Sequence, residues 1–231
     1  MQGDYYQNIL YPLQDKVLRV LDTLPVDFYL TGDTALSRVY LNHRYSDDLD
    51  FFLNGSDRFK IQAETVIKNM PQLNLKFEIL QADEGFLRIM VNDKSCSLKL
   101  DFVNDVPFRK DIPVSTGLYR LTDTADNILS NKITALSRFA AKDVVDLVYL
   151  SGMFSFNWAE TISDASQKDM WVNPVEASKI LDDFPLIKLE EINWINDPPG
   201  HQWFKSQLEI VIRDILQGSQ NSIYKPKNFE D

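Results

Sequence analysis

The apolar residues change their spacing once along the chain, and that change restricts it to few architectures. Up to about Val114, short runs with every second residue apolar are interleaved with runs spaced three and four apart. Beyond Thr122 only the helical spacing remains. An alternating run buries one face of a sheet, and a run of helical period buries one stripe of a helix. The chain is therefore predicted to be α+β: a mixed β-sheet flanked by helices over residues 1–114, followed by a helical part over 115–231, joined around Pro113 to Tyr119.

Within the first part, helices are predicted over Tyr5–Leu24 (with Pro12 as a break or kink), Thr34–Leu41 and Phe59–Met70. Strands are predicted at Phe28-Tyr29-Leu30, Asp48–Leu53, Leu73–Leu80, Phe86–Val91 and Ser97–Val103. The turn-like Asn92-Asp93-Lys94-Ser95 makes the last two strands a hairpin. In the second part, helices are predicted over Asp123–Phe139, Asp143–Met153, Trp158–Asp169, Pro174–Asp183 and Gln202–Gln217. Asn173-Pro174 forms a cap followed by proline at the first helical position. The tail beyond Gly218 is polar and expected to fray.

Composition excludes several classes of function. With 24 Lys plus Arg against 34 Asp plus Glu, the net charge is −10, and no window holds a dense basic run. That argues against wrapping duplex DNA or coating an anionic membrane. The single cysteine, Cys96, permits neither an intramolecular disulfide nor a multi-cysteine metal site. No secretory signal is evident at Met1-Gln2-Gly3-Asp4-Tyr5, and no apolar run is long enough to span a bilayer, so the expected location is the cytoplasm.

The triplet Asp48-Leu49-Asp50 carries the most chemical information. On a strand, residues two apart share a face, so both carboxylates point the same way, roughly 7 Å apart at Cα. Two like charges on one face repel unless a cation sits between them. Read alone, such a pair is as often a solvated strand face as a site. In Lys99-Leu100-Asp101-Phe102, the residues Leu98, Leu100 and Phe102 face the core and leave Lys99 and Asp101 on the other side. If that strand lies beside Asp48–Leu53, a third carboxylate joins the pair. Three carboxylates on a rigid sheet suit Mg²⁺, which prefers oxygen ligands and substrate phosphates.

Two further features point the same way. Thr31-Gly32-Asp33-Thr34-Ala35-Leu36 runs from a strand through a glycine corner into a helix, where backbone N–H groups can meet a phosphate. Lys132 lies within the apolar stripe of Ile128, Leu129, Ile133, Leu136 and Phe139, so it must snorkel, pair with a carboxylate or reach a ligand. The following helix is apolar almost all round except at Asp143 and Asp146. Asp143 suits the helix N-terminus, whereas Asp146 needs a basic partner, with Lys132, Arg138 and Lys142 as candidates.

Taken in order, these residues resemble a known family. Gly32-Asp33-Thr34-Ala35-Leu36, Arg44-Tyr45-Ser46-Asp47-Asp48-Leu49-Asp50-Phe51-Phe52, Lys99-Leu100-Asp101-Phe102, Asn131-Lys132-Ile133-Thr134-Ala135-Leu136-Ser137-Arg138 and Lys142-Asp143-Val144-Val145-Asp146-Leu147 are similar to the signature of the AbiEii/AbiGii toxin group. Those proteins are nucleotidyltransferases of the DNA polymerase β type, and the similarity spans roughly Phe28 to Leu150. The resemblance implies a nucleotidyltransferase-type sheet domain and transfer of a nucleotidyl group from an NTP to an acceptor hydroxyl, assisted by Mg²⁺. It implies that Asp48, Asp50 and Asp101 hold the metal, with Asp101 also activating the hydroxyl. It further implies that Lys132 contacts nucleotide phosphates, that Gly32, Asp33 and Thr34 lie at the nucleotide, and that Asp143 and Asp146 support the site. Characterised members are toxins of bacterial toxin–antitoxin or phage-defence pairs, some acting on tRNA, which implies an RNA acceptor and a cognate antitoxin as partners.

The chain departs from the family pattern at one place. Asp33 stands where glycine or serine is usual. A carboxylate there is expected to cap the following helix and to oppose a bound triphosphate, unless it serves as an extra metal ligand. A catalytically weakened binding or regulatory protein is thus the alternative to an active transferase. A carboxylate-based glycosidase would need neither the glycine corner nor Lys132.

Overall fold

A computed structural model describes residues 2–225. The chain divides into two compact units, Met1–Thr124 and Ala125–Asp231.

The first unit is built on a five-stranded mixed sheet. Its strands are β1 (Tyr29–Thr31), β2 (Leu49–Asn54), β3 (Lys76–Ala82), β4 (Phe86–Asn92) and β5 (Ser97–Asp105), in the order β1-β2-β5-β4-β3. β2 runs parallel to β5, and the other neighbours are antiparallel. The alternation in sequence sets the faces. Leu49, Phe51, Leu53, Leu87, Ile89, Val91, Leu98, Leu100 and Phe102 are all buried. Phe102 stacks on Phe51 with ring centroids 5.0 Å apart and meets Phe28 edge-on at 5.0 Å. These rings form the centre of the unit's core, where aromatic packing adds to area burial.

The N-terminal helix predicted as one element is divided as Pro12 requires. α1 (Gln2–Tyr5) passes into a π-helical stretch, Tyr6–Leu10, before α2 (Tyr11–Asp22) resumes with Pro12 in its first turn. Proline lacks the N–H that would continue an α-helical ladder, and the wider turn accommodates the interruption. β1 leads directly into α3 (Gly32–Ala35), which continues as a second π-helical stretch, Leu36–Leu41, and ends on Asn42 in the left-handed region. α4 (Phe59–Asn69) follows β2. β3 begins later than the predicted Leu73, because Leu73 closes a 3-10 turn and Asn74 adopts positive φ. The free edge of β1 is covered: Leu30 N–H donates to Leu121 O, and Asp123 N–H donates to Leu30 O.

The second unit is helical: α5 (Ala125–Ala135), α6 (Ala141–Met153), α7 (Trp158–Ser166), α8 (Pro174–Asp182) and α9 (His201–Gln217). α5 packs on α6 and α7, and α8 on α9. α6 is central, with Val144, Val145, Leu147, Val148 and Leu150 all buried, as its apolar circumference requires. Asn173 caps α8 by accepting from Val175 N–H and Glu176 N–H, with Pro174 in the first turn, as predicted. The expected start of α5 at Asp123 is not observed, since that residue's N–H is committed to β1. Nor does the chain fray directly after Gly218. Gln220 bridges to Asn157, and buried Asn221 donates from Nδ2 to Ser151 O and Phe154 O at 2.7 and 2.8 Å. The rest of that tail, 226–231, lies outside the described residues. No helix among the described residues is long and apolar enough to cross a membrane.

Candidate active site

The sheet pairing collects the predicted carboxylates of the first unit on its polar face. Register aligns Thr31 with Asp50, Asp50 with Asp101, and Asp101 with Arg88, giving a row across β1, β2, β5 and β4. The condition stated above is met: β5 lies beside β2, with Asp101 directly opposite Asp50. Asp48 precedes β2 by one residue. The loop that carries it is pinned from several sides. Gln14 Nε2 donates to Ser46 O and Asp47 O, Tyr6 Oη donates to Asp47 Oδ1, and Thr34 Oγ1 donates to Asp48 O.

Two cations lie among the carboxylates. Arg88 donates from Nε to Asp101 Oδ1 and from Nη2 to Asp101 Oδ2, both at 2.7 Å, a bidentate fork. Lys99 Nζ lies 2.8 Å from Asp48 Oδ2 and 3.8 Å from Asp101 Oδ2. Hydrogen bonding to Asp101 raises the Arg88 guanidinium above its ordinary value against a smaller opposing effect of burial. For Lys99, burial alone would lower the ammonium, but the hydrogen bond and charge of Asp48, with Asp101 and Asp50 behind it, outweigh this and raise it. Asp48, Asp50 and Asp101 thus share this face with two positive side chains, Arg88 and Lys99. Arg88 escaped the sequence reading, although its signal was present: it alternates with buried Leu87 and Ile89, and the turn at Asp93–Cys96 sets it opposite Asp101.

Asp48, Asp50 and Asp101 offer the donor type that a hard divalent cation takes, but their oxygens do not all lie within 4.8 Å of one another here, with the Lys99 ammonium between Asp48 and Asp101. Every donor is a carboxylate oxygen, and one ammonium already draws Asp48 and Asp101 together. Asp48, Asp50 and Asp101 would hold it.

The corner between β1 and α3 is shaped for close approach. Gly32 has φ +67°, and a Cβ there would sit 2.7 Å from Asp50 Oδ2. The cap position of α3 is Thr31, not Asp33, and Thr31 makes no side-chain cap hydrogen bond. Its hydroxyl instead donates to Asp123 Oδ2 at 2.6 Å. Asp33 lies inside the first turn, with Oδ1 3.2 Å from Nη2 of buried Arg44. An ion pair thus engages the Asp33 carboxylate, because the long Arg44 side chain reaches the corner from the loop before β2. Thr34 is buried and bonded to Ser46 Oγ at 2.7 Å.

In the second unit, Lys132 is buried and paired with both aspartates: Nζ is 2.8 Å from Asp143 Oδ1 and 2.7 Å from Asp146 Oδ2. Arg138 Nη2 reaches Asp143 Oδ2 at 3.3 Å from the exposed side. The partner required by Asp146 is Lys132, one of the three basic residues anticipated for it.

The sequence matches the family described as nucleotidyl transferase AbiEii toxin, type IV TA system, over residues 17–194. Among solved structures, JHP933 from Helicobacter pylori is similar with a TM-score of 0.61 and 23% identity, covering 90% of this chain and 90% of that one. A candidate nucleotidyltransferase from H. pylori is similar with a TM-score of 0.59 and 23% identity, covering 90% of this chain and 93% of that one. At such identity the likeness is one of fold. No curated protein matches the chain.

Proposed function

The chain belongs to the nucleotidyl transferase AbiEii toxin family, and from that premise we propose that it moves a nucleotidyl group from an NTP to an acceptor hydroxyl on RNA, in a Mg²⁺-dependent reaction. The acceptor oxygen forms a bond to the α-phosphorus as the bond to the bridging oxygen breaks and pyrophosphate leaves. Bound Mg²⁺ would stabilise the charge that develops on the attacking and leaving oxygens. The observation that carries this reading is the register of Asp50 against Asp101, with Asp48 beside them, on one face of adjacent parallel strands.

The chain's own residues have separable tasks. Asp48, Asp50 and Asp101 would hold the cation. Arg88 engages both Asp101 oxygens and fixes that carboxylate, leaving each oxygen a further lone pair for the cation or for the proton of the attacking hydroxyl. Gly32 gives the substrate access to the backbone beside Asp50. In the second unit, Lys132 carries the role that the family resemblance assigns to it, a phosphate contact, with its ammonium oriented by Asp143 and Asp146. As a family toxin acting in the cytoplasm, the protein has a cognate antitoxin as its partner.

Incubation with each labelled NTP, Mg²⁺ and total RNA tests the proposal. Label should enter RNA with wild type and be lost with Asp50→Asn or with EDTA. Equal labelling by wild type and Asp50→Asn would overturn it. A second reading, a nucleotide-binding regulator without transfer, is favoured by Asp33 at the corner. It predicts metal-dependent NTP binding with no label in RNA.

A further inference from the structure

Lys99 has no part in the reading above, yet its ammonium lies between two of the carboxylates assigned to the cation. We propose that Lys99 competes with the divalent cation for Asp48 and Asp101 and, once displaced, passes to the triphosphate of the incoming nucleotide. The inference rests on Asp48 and Asp101 being metal ligands.

The two basic residues on this face are held differently. Arg88 is fastened by two parallel hydrogen bonds to Asp101, a planar match that resists exchange. Lys99 is a point charge on a flexible stem, with one close contact, to Asp48 at 2.8 Å, and a looser one, to Asp101 at 3.8 Å. Its side chain is 30% exposed and that of Asp48 36%, so water can replace either partner and the pair exchanges at little cost. A divalent cation bound to Asp48 Oδ2 would lie close to the ammonium and repel it. A lysine released beside a metal–nucleotide complex meets the strongest anion available, the phosphate chain. One side chain thereby neutralises the carboxylates before the substrate binds and the substrate afterwards.

Opposite effects on two ligands make the test specific. Mn²⁺ binding without nucleotide is followed by the EPR signal of the free ion, and binding of the four α,β-methylene NTPs with Mg²⁺ by calorimetry. The proteins are wild type, Lys99→Met, Lys99→Gln, Lys99→Arg and Asp48→Asn. Both neutral Lys99 variants should bind Mn²⁺ about five-fold tighter, the effect of removing a half-exposed ion pair. They should bind the preferred Mg²⁺-nucleotide several-fold more weakly, and Lys99→Arg should bind Mn²⁺ no more tightly than wild type. If Asp48→Asn loses Mn²⁺ but the neutral Lys99 variants match or fall below wild type, competition is overturned while the metal assignment stands. If Asp48→Asn binds Mn²⁺ like wild type, the metal assignment fails and the proposal fails with it. Tighter Mn²⁺ with unchanged nucleotide affinity would overturn the passage of Lys99 to the phosphates.

Discussion

Gly32 and Asp50 lie so close that any side chain at position 32 would collide with the Asp50 carboxylate: a Cβ built there falls 2.7 Å from Oδ2. The corner glycine is thus tied to the acidic row both by its positive φ of +67° and by the space it leaves. Gly32→Ala should lose about 1–2 kcal/mol, combining left-handed strain with displacement of Asp50. Mg²⁺-dependent nucleotide affinity should fall further than that stability loss explains. Denaturant unfolding and nucleotide titration measure the two separately, and unchanged affinity would count against a nucleotide at this corner.

Asp33→Gly separates the charge of Asp33 from its structural role. Arg44 is buried, and Asp33→Gly removes its ion pair with Asp33 while its hydrogen bond from Nη1 to Tyr45 O is kept. Breaking a buried pair by removing one member costs about 3–5 kcal/mol, somewhat less here because Asp33 is partly exposed. That exceeds the 1 kcal/mol or less expected from a lost helix cap. Nucleotide binding should nevertheless tighten, since a repelling carboxylate is gone. Weaker binding by Asp33→Gly than by wild type would make Asp33 a ligand in its own right.

Lys132→Met takes from Asp143 and Asp146, both fully buried, the ammonium that pairs with both of them. The expected loss is about 3–5 kcal/mol. The double variant Lys132→Met with Asp146→Asn should recover part of it, because one uncompensated charge is then removed. Urea unfolding of the three proteins reads the coupling. A single variant as stable as wild type would show that the aspartates do not depend on Lys132.

Alkaline pH should weaken the first unit. Burial raises the hydroxyl pKa of Tyr29, reinforced by the charge of Asp123, and burial likewise raises that of Tyr119. A tyrosine whose folded pKa exceeds the unfolded value of about 10 contributes its full stability below that pH. The contribution is lost as pH rises through the folded value, because the unfolded chain ionises first. Raised Lys99 acts in the same direction. Burial likewise raises the Cys96 thiol, which ionises first in the unfolded chain, so stability should be level from neutrality to about pH 8 and decline above it, more steeply beyond about pH 9.5. Tyr119 Oη has no hydrogen-bond partner among the described residues, so Tyr119→Phe should be neutral or stabilising at pH 7 by up to about 1 kcal/mol. It should also reduce the alkaline decline; an identical decline in this variant would exclude Tyr119 as a contributor.

The sequence by itself determined which residues face which way. Alternation in Leu49–Asn54, Phe86–Asn92 and Ser97–Asp105 separates Asp50, Arg88, Lys99 and Asp101 from the apolar set, because the side-chain period of a strand is two whatever its neighbours. The hairpin turn at Asp93–Cys96 even specifies that Arg88 opposes Asp101. Only the tertiary structure decided that β5 lies parallel to β2 with Asp101 beside Asp50, that Lys99 joins Asp48, and that Arg44 pairs with Asp33. It also decided that Asp123 secures the edge of β1 instead of opening a helix. The difference is physical. Periodicity is a property of consecutive residues, whereas strand neighbours and ion pairs are chosen by hydrogen bonds and burial between segments distant in the chain, and local pattern carries no record of that choice.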